Sequence, residues 1–186
     1  MRILGKTTID KEFEEIYFSE FLAVTGGIIG GTLLLGLTES FNLIAGLFIL
    51  FPGLLEMHGN IYGSLSARLS NLLLLGKLKK KEEISYFIKE NVLASFFLLF
   101  FVSFVLGLIS YLFVYFFLGT SNPVLILISL FSSILSSFIE IPMTIYTTFW
   151  IFKHKLDPED IMGPYVTTFG DIISILSLVI ITGVLA

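Results

Sequence analysis

The sequence predicts an all-α integral membrane protein with five transmembrane helices. Of its 186 residues, 55% are hydrophobic and 14% are charged, and the mean hydropathy is +0.95, whereas soluble domains carry roughly 25% charged residues. The eleven Lys and Arg residues lie in the N-terminal tail, in residues 68–89, and at Lys153 and Lys155, with long apolar segments between these zones. Because cytoplasmic loops collect Lys and Arg, those segments are expected to cross the membrane in pairs.

Five apolar segments are long enough to cross a membrane, which takes about 20 residues in a helix. The predicted spans are residues 18–37, 41–75, 92–118, 124–152 and 164–186. An odd number of spans puts the termini on opposite sides, and the basic zones place the N-terminus in the cytoplasm and the C-terminus outside. We therefore expect one domain over residues 1–186 in the cell membrane, with a short cytoplasmic segment at residues 1–17 and a five-helix bundle at residues 18–186.

The first predicted span contains two overlapping Gly-xxx-Gly pairs, formed by Gly26, Gly27, Gly30 and Gly31. Such pairs let helix backbones approach closely, so we interpret them as a helix-packing surface. The residues before the span are charged and largely acidic, unlike a secretory signal, so the span is expected to remain in the membrane.

The second predicted span is too long for one simple helix and contains Pro52 and Gly53, followed by Glu56, His58 and Asn60. Proline removes a backbone donor and clashes with the preceding turn. Irregular backbone at membrane depth is tolerated where it is buried in protein or lines a watery cavity. We therefore expect the second helix to be broken or kinked near Pro52 and Gly53. Because the chain has only one other histidine, His58 indicates a hydrogen-bonding or packing residue and no transition-metal site.

Polar side chains follow one face of the fourth predicted span and one face of the fifth. Those of the fourth recur at helical spacing at Ser129, Ser133, Ser136, Glu140, Thr144 and Thr147. On the fifth, Thr167, Asp171 and Ser174 repeat the arrangement. These faces predict a hydrated cavity among the second, fourth and fifth helices. For the fourth span, the alternative is that the hydroxyls bond to helix carbonyls or hold helices together.

Three acidic residues fall inside predicted spans, namely Glu56, Glu140 and Asp171. Because a charge costs several kcal/mol at the bilayer centre, such acids usually mark an ion or substrate path. No Lys or Arg occurs in the third, fourth or fifth span, so the expected partners of Asp171 are a proton, a metal ion or a polar side chain. An alternative partner for Glu56 is Arg68. Oxygen ligands without cysteine favour a hard cation, with Mg²⁺ as the first choice.

The sequence contains no arrangement typical of an enzyme. It has no cysteine, which excludes disulfides, thiolate metal sites and cysteine nucleophiles. It also lacks a His-Glu-x-x-His motif, a Gly-x-Gly-x-x-Gly motif and a phosphate-binding loop. Paired acids for an intramembrane protease would require Glu140 and Asp171 to meet, which nothing in the sequence supports. We therefore expect neither enzymatic activity nor a nucleic-acid partner.

Two polar segments resemble the MgtE and SLC41 magnesium transporters. Residues 51–70, FPGLLEMHGNIYGSLSARLS, are similar to the family's second-helix signature, in which a proline-led segment precedes Gly-Asn and then small residues. Residues 164–171, PYVTTFGD, resemble the fifth-helix signature, Pro followed by Thr-Thr-x-Gly-Asp. The resemblance implies a five-helix transmembrane domain whose second and fifth helices line a cation path, most often at the two-fold axis of a homodimer.

The resemblance also implies roles for individual residues. Asp171 matches the family's acidic residue that faces the pore and holds hydrated Mg²⁺, and Asn60 belongs to the second-helix Gly-Asn. Glu56 is a further ligand by its place in that motif, and Glu140 is a candidate on physical grounds alone. The predicted metal ligands are Asp171, Asn60, Glu56 and Glu140. The predicted pore-lining residues are Gly59, Thr167, Thr168, Gly170, Ser174 and Ser136.

The chain departs from the bacterial MgtE pattern in its N-terminal part. Those proteins carry a large cytoplasmic domain and paired CBS domains ahead of the membrane part, whereas residues 1–17 precede the first span here, so we expect no soluble regulatory domain. Its single repeat resembles half of an SLC41-type transporter, so a homodimer is expected. The leading prediction is a transporter or channel for divalent cations. The alternatives are a Mg²⁺ exchanger coupled to Na⁺ or H⁺, and a non-transporting membrane scaffold or sensor.

Overall fold

The regular secondary structure of this chain is helical throughout the part that the computed structural model describes, residues 6–38, 41, 44–77 and 81–185. The helices are α1 (Lys6–Leu34), α2 (Leu47–Leu74), α3 (Lys81–Leu118), α4 (Val124–Lys153) and α5 (Pro158–Leu185), and a short 3-10 helix, Leu35–Leu37, follows α1. The predicted all-α class is thus confirmed for the described residues.

Four of these helices, α1, α3, α4 and α5, are long and apolar enough to cross a membrane, one fewer than the sequence predicted. α2 has sufficient length, at 28 residues, but polar residues such as Glu56, His58 and Asn60 lower its hydropathy. α1, α3 and α5 begin before the predicted spans, because charged residues that end an apolar stretch do not end a helix.

The predicted break near Pro52 and Gly53 is wrong, because α2 is one continuous helix with Pro52 inside it. α2 begins at Leu47, so Pro52 lies in its second turn. There the proline lacks only the N–H that would bond to the carbonyl of Phe48, in the first turn. The effect of the proline is confined to the start of the helix, and the polar residues that follow it lie on regular helix.

α5 lies at the centre of the bundle, in contact with α1, α2 and α4, and α3 packs against α2 and α4. α1 and α5 are parallel. Near their N-termini, the backbone N–H of Asp157 donates to Glu15 Oε2 at 3.1 Å, and further along both helices Gly26 of α1 faces Thr168 of α5. This arrangement fixes the relative direction of the first and last helices.

α2 and α4 run parallel to each other and antiparallel to α5. Ser66 of α2 hydrogen bonds to Thr148 of α4 at 3.2 Å, and earlier on both helices His58 hydrogen bonds to Ser136 at 3.1 Å. Only residues 154–157 connect α4 to α5, so these two neighbours form an antiparallel pair. The helices therefore alternate in direction from α1 to α5. α2 and α5, the two helices whose sequences contain the family signatures, lie side by side.

Candidate functional site

A cleft of about 380 Å³ lies between α2 and α5 and brings five of the ten predicted site residues together. These residues are Glu56, Gly59 and Asn60 on α2 and Thr167 and Asp171 on α5. The rest of the lining comes from the first turns of α2 and consists of Phe51, Pro52 and Leu55. The cleft therefore has a polar part, where the two helices face each other, and an apolar part beside it.

Helical periodicity places the polar side chains on one side of each helix. On α2, Glu56 and Asn60 are four residues apart, and Asn60 Nδ2 donates a hydrogen bond to Glu56 Oε1 at 3.0 Å. On α5, Thr167 and Asp171 have the same spacing. The Thr167 hydroxyl donates to the carbonyl of Gly163 at 3.1 Å, which leaves its oxygen as an acceptor beside Asp171.

The cleft is negatively charged. Its described lining contains two carboxylates, Glu56 and Asp171, and no Lys or Arg. Glu56 and Asn60 are exposed and Asp171 is half-buried. Arg68, the alternative partner of Glu56, instead donates from Nε to the carbonyl of Ser64 at 3.1 Å. Carboxylates in an accessible cleft without a basic neighbour attract cations.

Asp171 also lines a second cleft, of about 470 Å³, where α1 meets α2 and α5. The glycines of α1 form its wall. At Gly26 an added Cβ would clash with the side chain of Thr168, whereas no atom lies within 4 Å of a Cβ added at Gly27 or Gly31. Close packing therefore requires glycine at Gly26, and Thr168 lies in this contact with α1.

The other four predicted site residues form a buried cluster where α5 meets α4. Ser174 Oγ donates to Glu140 Oε1 at 3.2 Å, and Glu140 is 1% exposed. Gly170 packs against the same carboxylate, since an added Cβ would lie 3.3 Å from Glu140 Oε2. α4, which carries Glu140 and Ser136, lines neither cleft that contains Asp171. The roles of these four residues as metal ligands or pore-lining residues stay predictions.

His58 of α2 belongs to this buried cluster and was absent from the predicted site. Its Nδ1 hydrogen bonds to Ser174 Oγ and its Nε2 to Ser136 Oγ, at 3.1 Å. Its Nδ1 also lies 3.8 Å from Glu140 Oε1. His58 is thus confirmed as a hydrogen-bonding residue. The sequence contained a signal that could have predicted the position of His58. His58 is two residues from Glu56, and this spacing puts the two side chains on different sides of α2.

The polar face of α4 is mostly a helix-packing surface. Ser129 Oγ donates to the carbonyl of Ser103 on α3 at 2.6 Å, and Thr148 Oγ1 donates to the carbonyl of Thr144 at 2.7 Å. All four residues are buried. Of the predicted face, Ser129 and Ser136 confirm the alternative in which hydroxyls bond to helix carbonyls, whereas the hydroxyls of Ser133 and Thr144 have no hydrogen-bond partner among the described residues. The cleft around Asp171 opens toward α1 and α2 instead of α4.

The donor set of the α2–α5 cleft suits a hydrated ion. No group of three or more His, Cys, Asp and Glu side chains is placed to hold a metal ion within the described residues. One chain contributes two carboxylates and one amide to the cleft. Mg²⁺ usually keeps several of its waters and is bound through one or two carboxylates, so this arrangement fits its chemistry.

The family model of MgtE, described as a divalent cation transporter, matches residues 51–181, which is more than half of the chain. The chain belongs to the MgtE family. No curated protein and no solved structure matches it. Membership indicates divalent cation transport and agrees with the absence of enzyme motifs, and together with four helices apolar enough to span a bilayer it indicates a membrane protein. The matched region of this MgtE-family chain contains both walls of the α2–α5 cleft.

Proposed function

We propose that this MgtE-family protein carries divalent cations, with Mg²⁺ as its main ion, across the cell membrane along the α2–α5 cleft. The observation that carries the proposal is that Glu56, Asn60 and Asp171 face one cleft within the region that matches the family. Cation transport accounts for two carboxylates in one accessible cleft, whereas a scaffold without transport activity does not. Asp171 is the proposed principal ligand, since it lines both clefts.

The size of the cleft supports a hydrated ion. At about 30 Å³ per water, the cleft volume of about 380 Å³ corresponds to roughly a dozen waters. Mg²⁺ requires octahedral oxygen coordination and gives up water reluctantly. Asp171 and Glu56 are therefore proposed to hold the ion chiefly through its waters, with the oxygens of Asn60 and Thr167 as further acceptors.

A second copy of the chain is proposed to complete the path. Glu56 and Asn60 are exposed on the surface of one chain, so a copy related by a two-fold axis can place its own cleft opposite theirs. The carboxylates of two copies repel each other unless a cation lies between them. Mg²⁺ binding should therefore stabilise the homodimer and raise its melting temperature.

All five helices are proposed to cross the membrane, including α2 with its lower hydropathy. α1 and α5 lie side by side and point in the same direction, so an odd number of crossings separates them. α2, α3 and α4 supply three. If α2 stayed on one side, α1 and α5 would be antiparallel. The basic zones then place the N-terminus in the cytoplasm, and reporters fused to the two termini should detect opposite sides of the membrane.

Mg²⁺ influx into proteoliposomes under a negative-inside potential tests the proposed path. Asp171→Asn removes a charged ligand, and interactions of charged groups contribute about 1.5–3 kcal/mol. We therefore expect influx at sub-saturating Mg²⁺ to fall about tenfold or more. Asp160→Asn is the matched control, because Asp160 lies in the first turn of the same helix and lines neither cleft. Equal influx in wild type and Asp171→Asn would exclude the α2–α5 cleft as the path.

The same vesicles separate passive from coupled transport. With Na⁺ or H⁺ gradients imposed and no membrane potential, a passive path moves Mg²⁺ only down its own gradient. Uphill movement of Mg²⁺ would establish an exchanger and give the buried Glu140 cluster a candidate role in binding the coupled ion.

A further inference from the structure

A further cavity, of about 250 Å³ and separate from the two clefts described above, lies on the α2–α5 interface toward the N-terminus of α5. We call it the inner cavity. Its lining includes Gly63, Ala67 and Ser70 of α2 and Glu159 and Gly163 of α5. None of these residues has a part in the function proposed above.

The inner cavity and the α2–α5 cleft follow one another along a single face of α5. That face contains Glu159, Gly163, Thr167 and Asp171, each four residues after the one before, and side chains with this spacing lie one above the other. The first two line the inner cavity and the last two line the cleft. The inner cavity therefore lies next to the cleft along the axis of α5, toward the N-terminus of that helix.

Three polar residues line the inner cavity, Ser66, Ser70 and Glu159, and Ser66 already hydrogen bonds to Thr148. Ser70 is 1% exposed, and its Oγ has no hydrogen-bond partner among the described residues. A buried hydroxyl without a partner costs about 1–3 kcal/mol, so Ser70 indicates water or a hydrated ion in the cavity. Glu159 is the charged residue of the described lining. It is exposed and its backbone N–H donates to Asp157 Oδ1 at 2.9 Å, which fixes the start of α5.

The two glycines of the lining keep the interface open. No atom lies within 4 Å of a Cβ added at Gly63 or Gly163, so close packing does not require glycine at either position. Glycine in a helix interior is about 1 kcal/mol less favourable than alanine. What these glycines provide is open space in the inner cavity, which both of them line.

We propose that the inner cavity is the cytoplasmic mouth of the cation path, where Glu159 attracts a hydrated divalent cation and Ser70 hydrogen bonds to one of its waters. The inference rests on the proposed function of the α2–α5 cleft. At about 30 Å³ per water, the cavity volume of about 250 Å³ corresponds to roughly eight waters, enough for the octahedral shell of about six around Mg²⁺. The cavity lies between the end of α2 and the start of α5, next to the basic zones that predict the cytoplasmic side.

Single thiols test the inner cavity, because the chain contains no cysteine. Gly163→Cys and Ala67→Cys place a thiol on each wall. Gly183→Cys is the matched control, at a glycine of α5 outside the cavity with equally open surroundings. The probe is a membrane-impermeant methanethiosulfonate with a permanent positive charge, applied to the side that exposes the N-terminus. The thiolate forms a mixed disulfide with it, and methanesulfinate leaves.

Both cavity thiols should react, Mg²⁺ should slow their reaction severalfold, and modification should lower Mg²⁺ flux severalfold. Gly183→Cys should show neither protection nor loss of flux. If neither cavity thiol reacts, or if both react without loss of flux while the unmodified variants transport, the inference fails and the proposed function stands. If the folded wild type shows no flux, the proposed function fails and the inference with it.

The role of Glu159 has its own test in the kinetics of transport. Glu159→Gln should raise the half-saturating Mg²⁺ concentration about twofold to fivefold at low salt and leave the maximal flux unchanged, because an exposed charge concentrates ions without binding them tightly. The effect should shrink in high salt, which screens exposed charges. Asp160→Asn, one residue along and outside the cavity lining, is the control. Equal half-saturation in both variants would overturn the role of Glu159.

Discussion

The polar residues of α5 meet different environments at its contacts with α2 and with α4. At the contact with α2, Thr167 and Asp171 face an accessible cleft. At the contact with α4, Ser174 donates to Glu140, which is 1% exposed, and Gly170 packs against that carboxylate. Gly170 and Asp171 are adjacent in sequence and belong to different environments. The role of an acid in a membrane helix is thus decided by the neighbour that its side of the helix meets.

Asp171 and Glu140, both predicted metal ligands, differ in their access to ions. Asp171 has access to ions through two clefts, whereas Glu140 lies among hydroxyls and His58. We infer that Asp171 acts on a cation and that Glu140 holds α4 against α5. Measurements of flux and of stability distinguish these roles, because a ligand affects the first and a packing residue the second.

The largest loss of stability is expected from Glu140→Ala. The substitution removes the acceptor of Ser174 and leaves a void beside Gly170, and large-to-small changes at buried positions cost about 2–5 kcal/mol. Asp171→Asn, at a half-buried position, should change stability by less than about 1 kcal/mol without Mg²⁺. Thermal unfolding of the detergent-solubilised protein in a chelator measures both.

Glu140→Gln is the control for shape, because it retains an oxygen acceptor for Ser174 and should lose less stability than Glu140→Ala. If Glu140→Gln keeps its melting temperature and loses Mg²⁺ flux, Glu140 is an ion ligand and the assignment of ion binding to Asp171 and packing to Glu140 is wrong.

A smaller loss of stability is expected from His58→Ala. His58 is 1% exposed and hydrogen bonds to Ser136 and Ser174, so its removal leaves buried hydroxyls with fewer partners, at a cost of about 1–3 kcal/mol. His154→Ala is the matched control, because His154 is exposed and bonds only locally, to the carbonyl of Trp150 at 2.7 Å. Chemical denaturation should show the difference. Equal losses would mean that the His58 cluster does not hold the helices together.

The sequence predicted the α2–α5 cleft better than the buried cluster, for a physical reason. Helical spacing alone puts Glu56 with Asn60, and Thr167 with Asp171, on common faces, and the resemblance supplied the pairing of the two helices. The partners of Glu140 depend on which helix α4 meets, and a Ser/Thr face suits a cavity and a packing surface equally. The break at Pro52 was wrong because the pattern did not reveal that α2 begins only at Leu47.

The smallest expected effect is the difference in stability between alanine substitutions at two glycines of α5. Alanine in a helix interior is up to about 1 kcal/mol more favourable than glycine. Gly163→Ala should gain much of this, because no atom lies within 4 Å of the new Cβ. Gly170→Ala should gain less or lose stability, because its Cβ would lie 3.3 Å from Glu140 Oε2 and the buried carboxylate would have to move. Melting temperatures in matched detergent measure the difference. If Gly170→Ala melts at or above Gly163→Ala, the Glu140 carboxylate does not pack tightly against Gly170, and its contact with α5 rests on the hydrogen bond to Ser174.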